Sequence, residues 1–332
     1  MTNLGVYATY EEVKEYLDNR SQQDLNIDNT ALKRFAVRAS RRFDSLCFRK
    51  FYPTLETRTF DDPAQSASRA QGSRRVRVTV SAGDFGPLVI PPIASAIRPD
   101  VLKLDDDLLE VVTLTTSNGD ITIAAADQLL RTGNARNQTP YDRIVLKSDG
   151  TTTLFTFSGT PQDANSVTAF WGYHEDWANA WVEVDTVQDD PLTPSATTVT
   201  VADVDGEDEN GLTPRFRAQQ LVRFGTGTSA EYSFVNAVNV EVDTFTARRG
   251  VNGTTAAQQA QGTAIFVFRP MEDIVLAMLV LATYSYRRKE TIGKTEDRGM
   301  ASSTGVLLLP PKLPEDITRT LETYTARARG RS

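Results

Sequence analysis

One cysteine, one histidine and no apolar run longer than nine residues set the first limits on this chain of 332 residues. Cys47 alone excludes an internal disulfide and a zinc cluster built on several thiolates. A histidine-centred hydrolase would have to use His174, because there is no other. The longest apolar run, Ile274–Ala282, is far short of the ~18–20 residues that span a bilayer. Met1–Tyr10 lacks the basic start and apolar run of a signal peptide. No Gly-x-x-x-x-Gly-Lys phosphate loop and no Gly-x-Gly-x-x-Gly fingerprint occurs. Together these absences predict a soluble protein made in a reducing compartment, with no membrane partner, no cofactor and no enzymatic constellation.

What is present is ordinary in amount and uneven in placement. Hydrophobic residues make up 40% and charged residues 24%, which suits a globular chain of roughly two domains. The net charge is −7, and Trp181–Gly262 carries all of it, with twelve acids against five arginines. The remainder balances. Overall acidity therefore disfavours a whole-molecule DNA-binding role, which needs clustered Lys and Arg, while leaving local basic faces open.

Two segments with helical spacing stand near opposite ends, Asp28–Lys50 and Pro270–Arg288. Thr9-Tyr10-Glu11-Glu12 is a capping-box pattern ahead of a short helix over Tyr10–Asn19. The second helix carries Leu32, Phe35, Ala36, Ala39, Phe43, Leu46 and Cys47 on one stripe, with Lys33, Arg34, Arg38, Arg41 and Arg42 off it. Arg49 and Lys50 are placed in its last turn, facing the negative end of the dipole. The helix at Pro270 has Pro, Glu272 and Asp273 at its start and Arg287, Arg288 and Lys289 at its end. A last helix runs from Pro314 to about Arg327 with Ile317, Leu321 and Tyr324 on one face.

Between the helices the pattern is strand and turn. Short runs are expected at Thr57–Phe60, Val76–Val80, Leu109–Thr115, Asp120–Ala124, Ile144–Leu146, Thr153–Phe157 and Val167–Phe170. A second set follows at Thr197–Val201, Gln220–Phe224, Glu231–Val235, Thr244–Ala247 and Ala264–Phe268. Asn252-Gly253 is its clearest turn, since those residues accept positive φ.

The fold class expected is α+β: a small helical core, of two main helices plus N- and C-terminal helices, interrupted by a large antiparallel β insertion that includes a separate β-sandwich or small-barrel module. The domains expected are 1–53 with 270–332 as the helical core and C-terminal arm, 54–186 as a β insertion packed on the core, and 187–269 as the second β module. Leu32, Phe35, Ala39, Phe43, Leu46, Ile274, Met278 and Ala282 are expected to pack the helical core.

The chemistry-bearing residues read blandly. His174 sits in the aromatic run Trp171-Gly172-Tyr173-His174-Glu175-Asp176-Trp177 and reads as a polar residue of a turn rather than the centre of an acid–base pair. Cys47 lies on an apolar stripe and reads as core. Asp203–Asn210 fails the EF-hand spacing, with Asp208 where Gly is required and Pro214 where Glu is required. Asp105-Asp106-Asp107 point to alternate faces of an extended chain and read as the polar approach to a strand. Arg34, Arg38, Arg41 and Arg42 suit either contact with nucleic acid or acidic neighbours, or a solvated helix side.

Taken in order, Ala39-Ser40-Arg41-Arg42-Phe43-Asp44, Cys47-Phe48-Arg49-Lys50-Phe51-Tyr52-Pro53, Thr57-Arg58-Thr59-Phe60-Asp61, Leu104–Val111, Trp171–His174 and Pro270–Arg288 resemble the head-to-tail connector family, the adaptor or head-completion proteins of long-tailed bacteriophages. The stretch around Arg248–Ala256 and Gly262-Thr263 is similar to a β module that recurs in larger members. The resemblance implies a structural virion protein at the head–tail interface, made in the host bacterial cytoplasm. It implies a homo-oligomeric ring, a dodecamer, bound to the portal protein and to the next neck or tail-completion protein, with DNA passing through without sequence-specific binding. Val306, Leu307, Leu308, Leu309, Ile317, Leu321, Tyr324, Arg327, Arg329 and Arg331 are the candidate residues for docking on the portal or a neighbouring subunit. A β-rich module that recognises a host glycan is the alternative.

Overall fold

The structure, a computed structural model, describes residues 5–21, 28–64, 98–133, 138–209, 211, 213–227, 230–291 and 315–325. Among them are four α-helices and two antiparallel sheets of six strands each, a mixed and β-rich α+β protein. The helices are α1 (Tyr10–Ser21), α2 (Asn29–Cys47), α3 (Glu272–Thr291) and α4 (Glu315–Tyr324). The expected strand Val76–Val80 lies outside the described residues, as do Val306–Leu309, Arg327, Arg329 and Arg331.

Local chemistry starts and stops these helices. Thr9 and Glu12 form the reciprocal capping box, Glu12 N donating to Thr9 Oγ1 at 3.3 Å and Thr9 N to Glu12 Oε2 at 2.6 Å. Asp28 caps α2 by accepting from the N–H groups of Thr30 and Ala31 at 2.9 and 3.2 Å. At the other end Phe48 takes a left-handed conformation (φ 53°) and turns the chain out of the helix. Arg49 and Lys50 therefore lie beyond α2 rather than in its last turn. Arg49 stacks over the Tyr173 ring instead, 4.4 Å from its centroid.

The described residues fall into two compact units, one drawn from Met1–Leu55 with Gly172–Arg329 and the other from Glu56–Trp171. In the first, α3 packs against α1, α2 and α4, although a long β-rich stretch separates α2 from α3 in sequence. Val13, Leu17, Leu32, Ala39, Phe43, Ile274, Met278 and Ala282 are buried there, and Phe35 meets Tyr286 edge-on at 5.9 Å. Each large aliphatic or aromatic side chain so covered contributes about 1.5–3 kcal/mol. Leu46 departs from expectation at 36% exposed. It shares the margin of the stripe with Phe35, but Phe35 has Tyr286 over it whereas Leu46 stands in the last turn.

The first unit also holds β7 (Trp181–Thr186), β8 (Thr198–Thr200), β9 (Leu221–Phe224), β10 (Glu231–Asn239), β11 (Thr244–Arg249) and β12 (Ala264–Phe268). Their order is β7-β12-β9-β10-β11-β8. Residues 181–186, placed by sequence order in the insertion at 54–186, thus belong to the second sheet, because β7 pairs with β12 from Phe268↔Trp181 to Ala264↔Thr186. Just past β7, Gln188 N donates to Thr200 O at 2.9 Å, so the chain leaving the first strand of the order meets the last strand through one backbone hydrogen bond. Val199, Phe216, Val222, Phe224, Val235, Phe245, Ile265 and Val267 fill the interior.

This sheet is tied to the helices. Gln219, buried and in the left-handed region (φ 77°), accepts from Tyr10 N at 3.2 Å and donates to Lys33 O at 3.3 Å. Arg217 pairs with Glu15 at 3.2 Å, and Tyr52 packs on Phe268 with centroids 5.2 Å apart.

The second unit is built on β2 (Val101–Thr116), flanked by β1 (Thr54–Phe60), β3 (Ile121–Ile123), β4 (Gln128–Arg131), β5 (Tyr141–Leu146) and β6 (Asn165–Trp171) in the order β1-β6-β2-β5-β4, with β3 on β2. Leu102, Leu104, Leu108, Leu114, Ile144, Val167 and Trp171 form its core. Asp105, Asp106 and Asp107 lie inside β2, where its register against β5 slips between Lys103 and Leu108. They do not stand ahead of the strand as expected. Residues 153–157, expected as a strand, are a loop in which only Phe155 is buried.

Candidate functional site

The outer face of α2 is the most distinctive surface of the helical group. Arg34, Arg38 and Arg42 recur every four residues, so they stand in one row about 6 Å apart along the axis. All three are exposed, and none makes an ion pair among the described residues. Leu46 continues the row and Phe48, 78% exposed at the helix cap, ends it, while Val37 lies exposed between the first two arginines.

The one acid of the same helix is committed elsewhere. Asp44, the single acidic residue of α2, bonds Arg41 at 3.0 Å and accepts from the Tyr7 hydroxyl. Arg41 also donates to Gly5 O at 2.5 Å. Burial pushes the Asp44 carboxyl up to about 6 despite Arg41. Burial, with Asp44 beside it, raises Tyr7 well above its ordinary value. Arg41 is thereby turned into a structural tie, and Arg34, Arg38 and Arg42 remain as a positive strip able to receive an anion.

The other candidate groups are placed as follows. Cys47 is buried, and burial together with Asp44 pushes its thiol up to about 12, so at neutral pH it is a core thiol. His174 is buried with both nitrogens engaged, Nδ1 accepting from Asp176 N at 3.1 Å and Nε2 facing Arg269 O at 3.1 Å. The first contact requires a bare Nδ1, so the proton is on Nε2 and points at a carbonyl. Burial lowers the pKa and keeps the ring neutral. Neither Glu175 nor Asp176 pairs with it as an acid–base partner, since its hydrogen bonds go to backbone groups.

Ile317, Leu321 and Tyr324, named as docking residues, are covered by their own chain. α4 lies on α2 and α3, the Tyr324 ring meets Phe51 at 6.0 Å and Tyr173 at 5.8 Å, and its hydroxyl donates to Asp273 Oδ2 at 3.2 Å. Periodicity had shown that this stripe needed cover without showing what supplies it.

Sequence reasoning passed over the turn Val240-Glu241-Val242-Asp243 between β10 and β11. Val240 and Val242 are 55% and 58% exposed there. Carboxylate oxygens of Asp203, Asp205 and Asp243 lie within 4.8 Å of one another beside the turn. Asp203 Oδ1 accepts from Asp205 N and Gly206 N, and Asp243 Oδ1 from Val204 N. The alternation of valine and acid was its signal. No protein-family model matches this chain, and no curated protein matches it either.

Proposed function

We propose that this chain is a structural subunit of a phage virion, an adaptor whose copies form a ring between the portal vertex of the head and the neck or tail. The ring is a dodecamer matched to the portal, and it continues the channel through which DNA passes. The observation that carries the reading is the uncompensated row Arg34, Arg38 and Arg42 on a small helical group. That surface is made to meet an anionic neighbour rather than to turn over a substrate. The resemblance along Ala39–Pro53 and Pro270–Arg288 supports it, because those segments meet in one helical group here. The six-stranded module from β7 to β12 adds surface on each copy. Within the C-terminal arm, docking on the portal falls to Val306–Leu309, Arg327, Arg329 and Arg331. The test is electron microscopy of the purified protein, alone and mixed with portal-bearing heads. Closed rings or an added layer beneath the portal are expected; particles that stay monomeric and leave the portal bare overturn the reading.

A further inference from the structure

We propose that the outer face of α2 receives the Val240–Asp243 turn of a second copy of this chain, an inference that specifies the subunit contact and rests on the ring reading. Two surfaces of one compact unit are left open, and their chemistry is reciprocal. One offers Arg34, Arg38 and Arg42 followed by Leu46 and Phe48. The other offers Val240 and Val242 standing out of an acidic surround of Glu241, Asp205 and Asp243. Neither fills the other within one copy, since both are exposed.

Each half carries a reason to be covered. Three like charges at four-residue spacing repel one another and are relieved by an acidic partner. Phe48, Leu46, Val240 and Val242 are apolar residues held in water. A nucleic-acid backbone would satisfy the arginines and leave Leu46 and Phe48 uncovered, whereas a turn that alternates valine and acid satisfies both. The contact joins different patches on the two copies, so each copy keeps one free half and the association propagates until it closes.

The cross-link that tests this uses Arg38→Cys and Glu241→Cys prepared separately, mixed, and oxidised with oxidised glutathione. Cys47 is buried and does not compete. The disulfide joining the two introduced thiols, one on each copy, is expected to form at least about tenfold faster than the same reaction with an Asp149→Cys control, and more slowly as salt rises. Adding Arg34→Glu and Arg42→Glu is expected to remove that advantage, with unchanged circular dichroism showing that the fold persists. A rate equal to the control overturns the pairing. So does an Arg34→Glu, Arg38→Glu, Arg42→Glu protein that loses affinity for duplex DNA yet still self-associates as the parent does. Rings seen by microscopy without the cross-link leave the adaptor reading standing and remove this contact; the cross-link without rings does the reverse.

Discussion

A β-carbon on Gly253 would lie 1.9 Å from the carbonyl oxygen of Leu55. The approach is held by Leu55 N donating to Asn252 O at 2.8 Å and Asn252 Nδ2 donating to Pro53 O at 3.1 Å. The turn after β11 thus grips the chain where it leaves the helical group. Gly253 also has φ 89°, which side chains rarely adopt. Gly253→Ala combines a backbone clash with an unfavourable dihedral, and a loss of about 3 kcal/mol or more is expected from denaturant melts. An unchanged midpoint would show that this grip is not needed.

Gln219 joins α1, α2 and the second sheet through two backbone groups. Gln219→Leu keeps the volume and strips both bonds, so Tyr10 N loses its acceptor and Lys33 O loses the donor it has besides its own helix. A cost of about 1–3 kcal/mol is expected in the same melts, for a polar group left unmatched. Stability equal to the parent would mean that water replaces the amide without loss.

Arg249 and Glu231 form a forked ion pair, with bonds of 2.8 and 2.6 Å, whose side chains are almost wholly buried. Burial alone would raise Glu231, but Arg249, Ala257 N and Gln259 hold its carboxyl below the ordinary value. Arg249→Ala leaves that carboxylate buried without its counter-charge, and about 3–5 kcal/mol should be lost. Because the folded value is depressed, the stability from Glu231 is present above its unfolded pKa and disappears as pH falls through the folded one. The melting temperature of the parent should therefore fall in acid more steeply than that of Arg249→Ala.

Asp44 works in the opposite direction. Its folded value of about 6 exceeds the ordinary 3.8, so protonation favours the fold. That contribution is complete below about pH 4 and is lost as pH rises through about 6. Two pH units correspond to about 3 kcal/mol at most. Denaturant melts at pH 5 and pH 7 should show a relative gain at pH 5 in the parent that Asp44→Asn lacks; parallel curves would refute it.

Removing residues 187–269 should not leave a soluble remainder. Excision exposes Tyr52 and strips Tyr10 N and Lys33 O of Gln219. Aggregation or loss of helical signal is expected. A monomeric, fully helical remainder would show that the second sheet is an appendage.

The helices were legible because their signals are local: Thr9 and Glu12 at capping distance, Asp28 before an apolar stripe, acids at the head of α3. The Asn252-Gly253 turn was legible for the same reason, since only a few residue types accept its angles. What escaped depends on partners distant in sequence. Leu46 lies on the stripe yet stays 36% exposed, and Ile317, Leu321 and Tyr324 are buried by their own chain, with α4 lying on α2 and α3. The short strand Gln128–Arg131 exists by pairing with β5 and has little alternation of its own. In residues 153–157 the alternation is present, but Thr156 O is taken by Ser117 N and Thr116 Oγ1, which draws the chain into a loop.

The meeting of Gln188 with Thr200 has a bearing on crowding. A sheet that ends in a bare strand carries a row of unspent N–H and C=O groups, a template that any neighbouring strand can extend. Where many identical copies gather around one axis, such a template would compete with specific contacts and favour runaway polymer over a counted assembly. Because Thr200 O accepts from Gln188 N and Thr200 N donates to Asp189 Oδ2, this edge strand has the backbone groups of Thr200 already engaged by its own chain, and it offers a neighbouring strand less to extend.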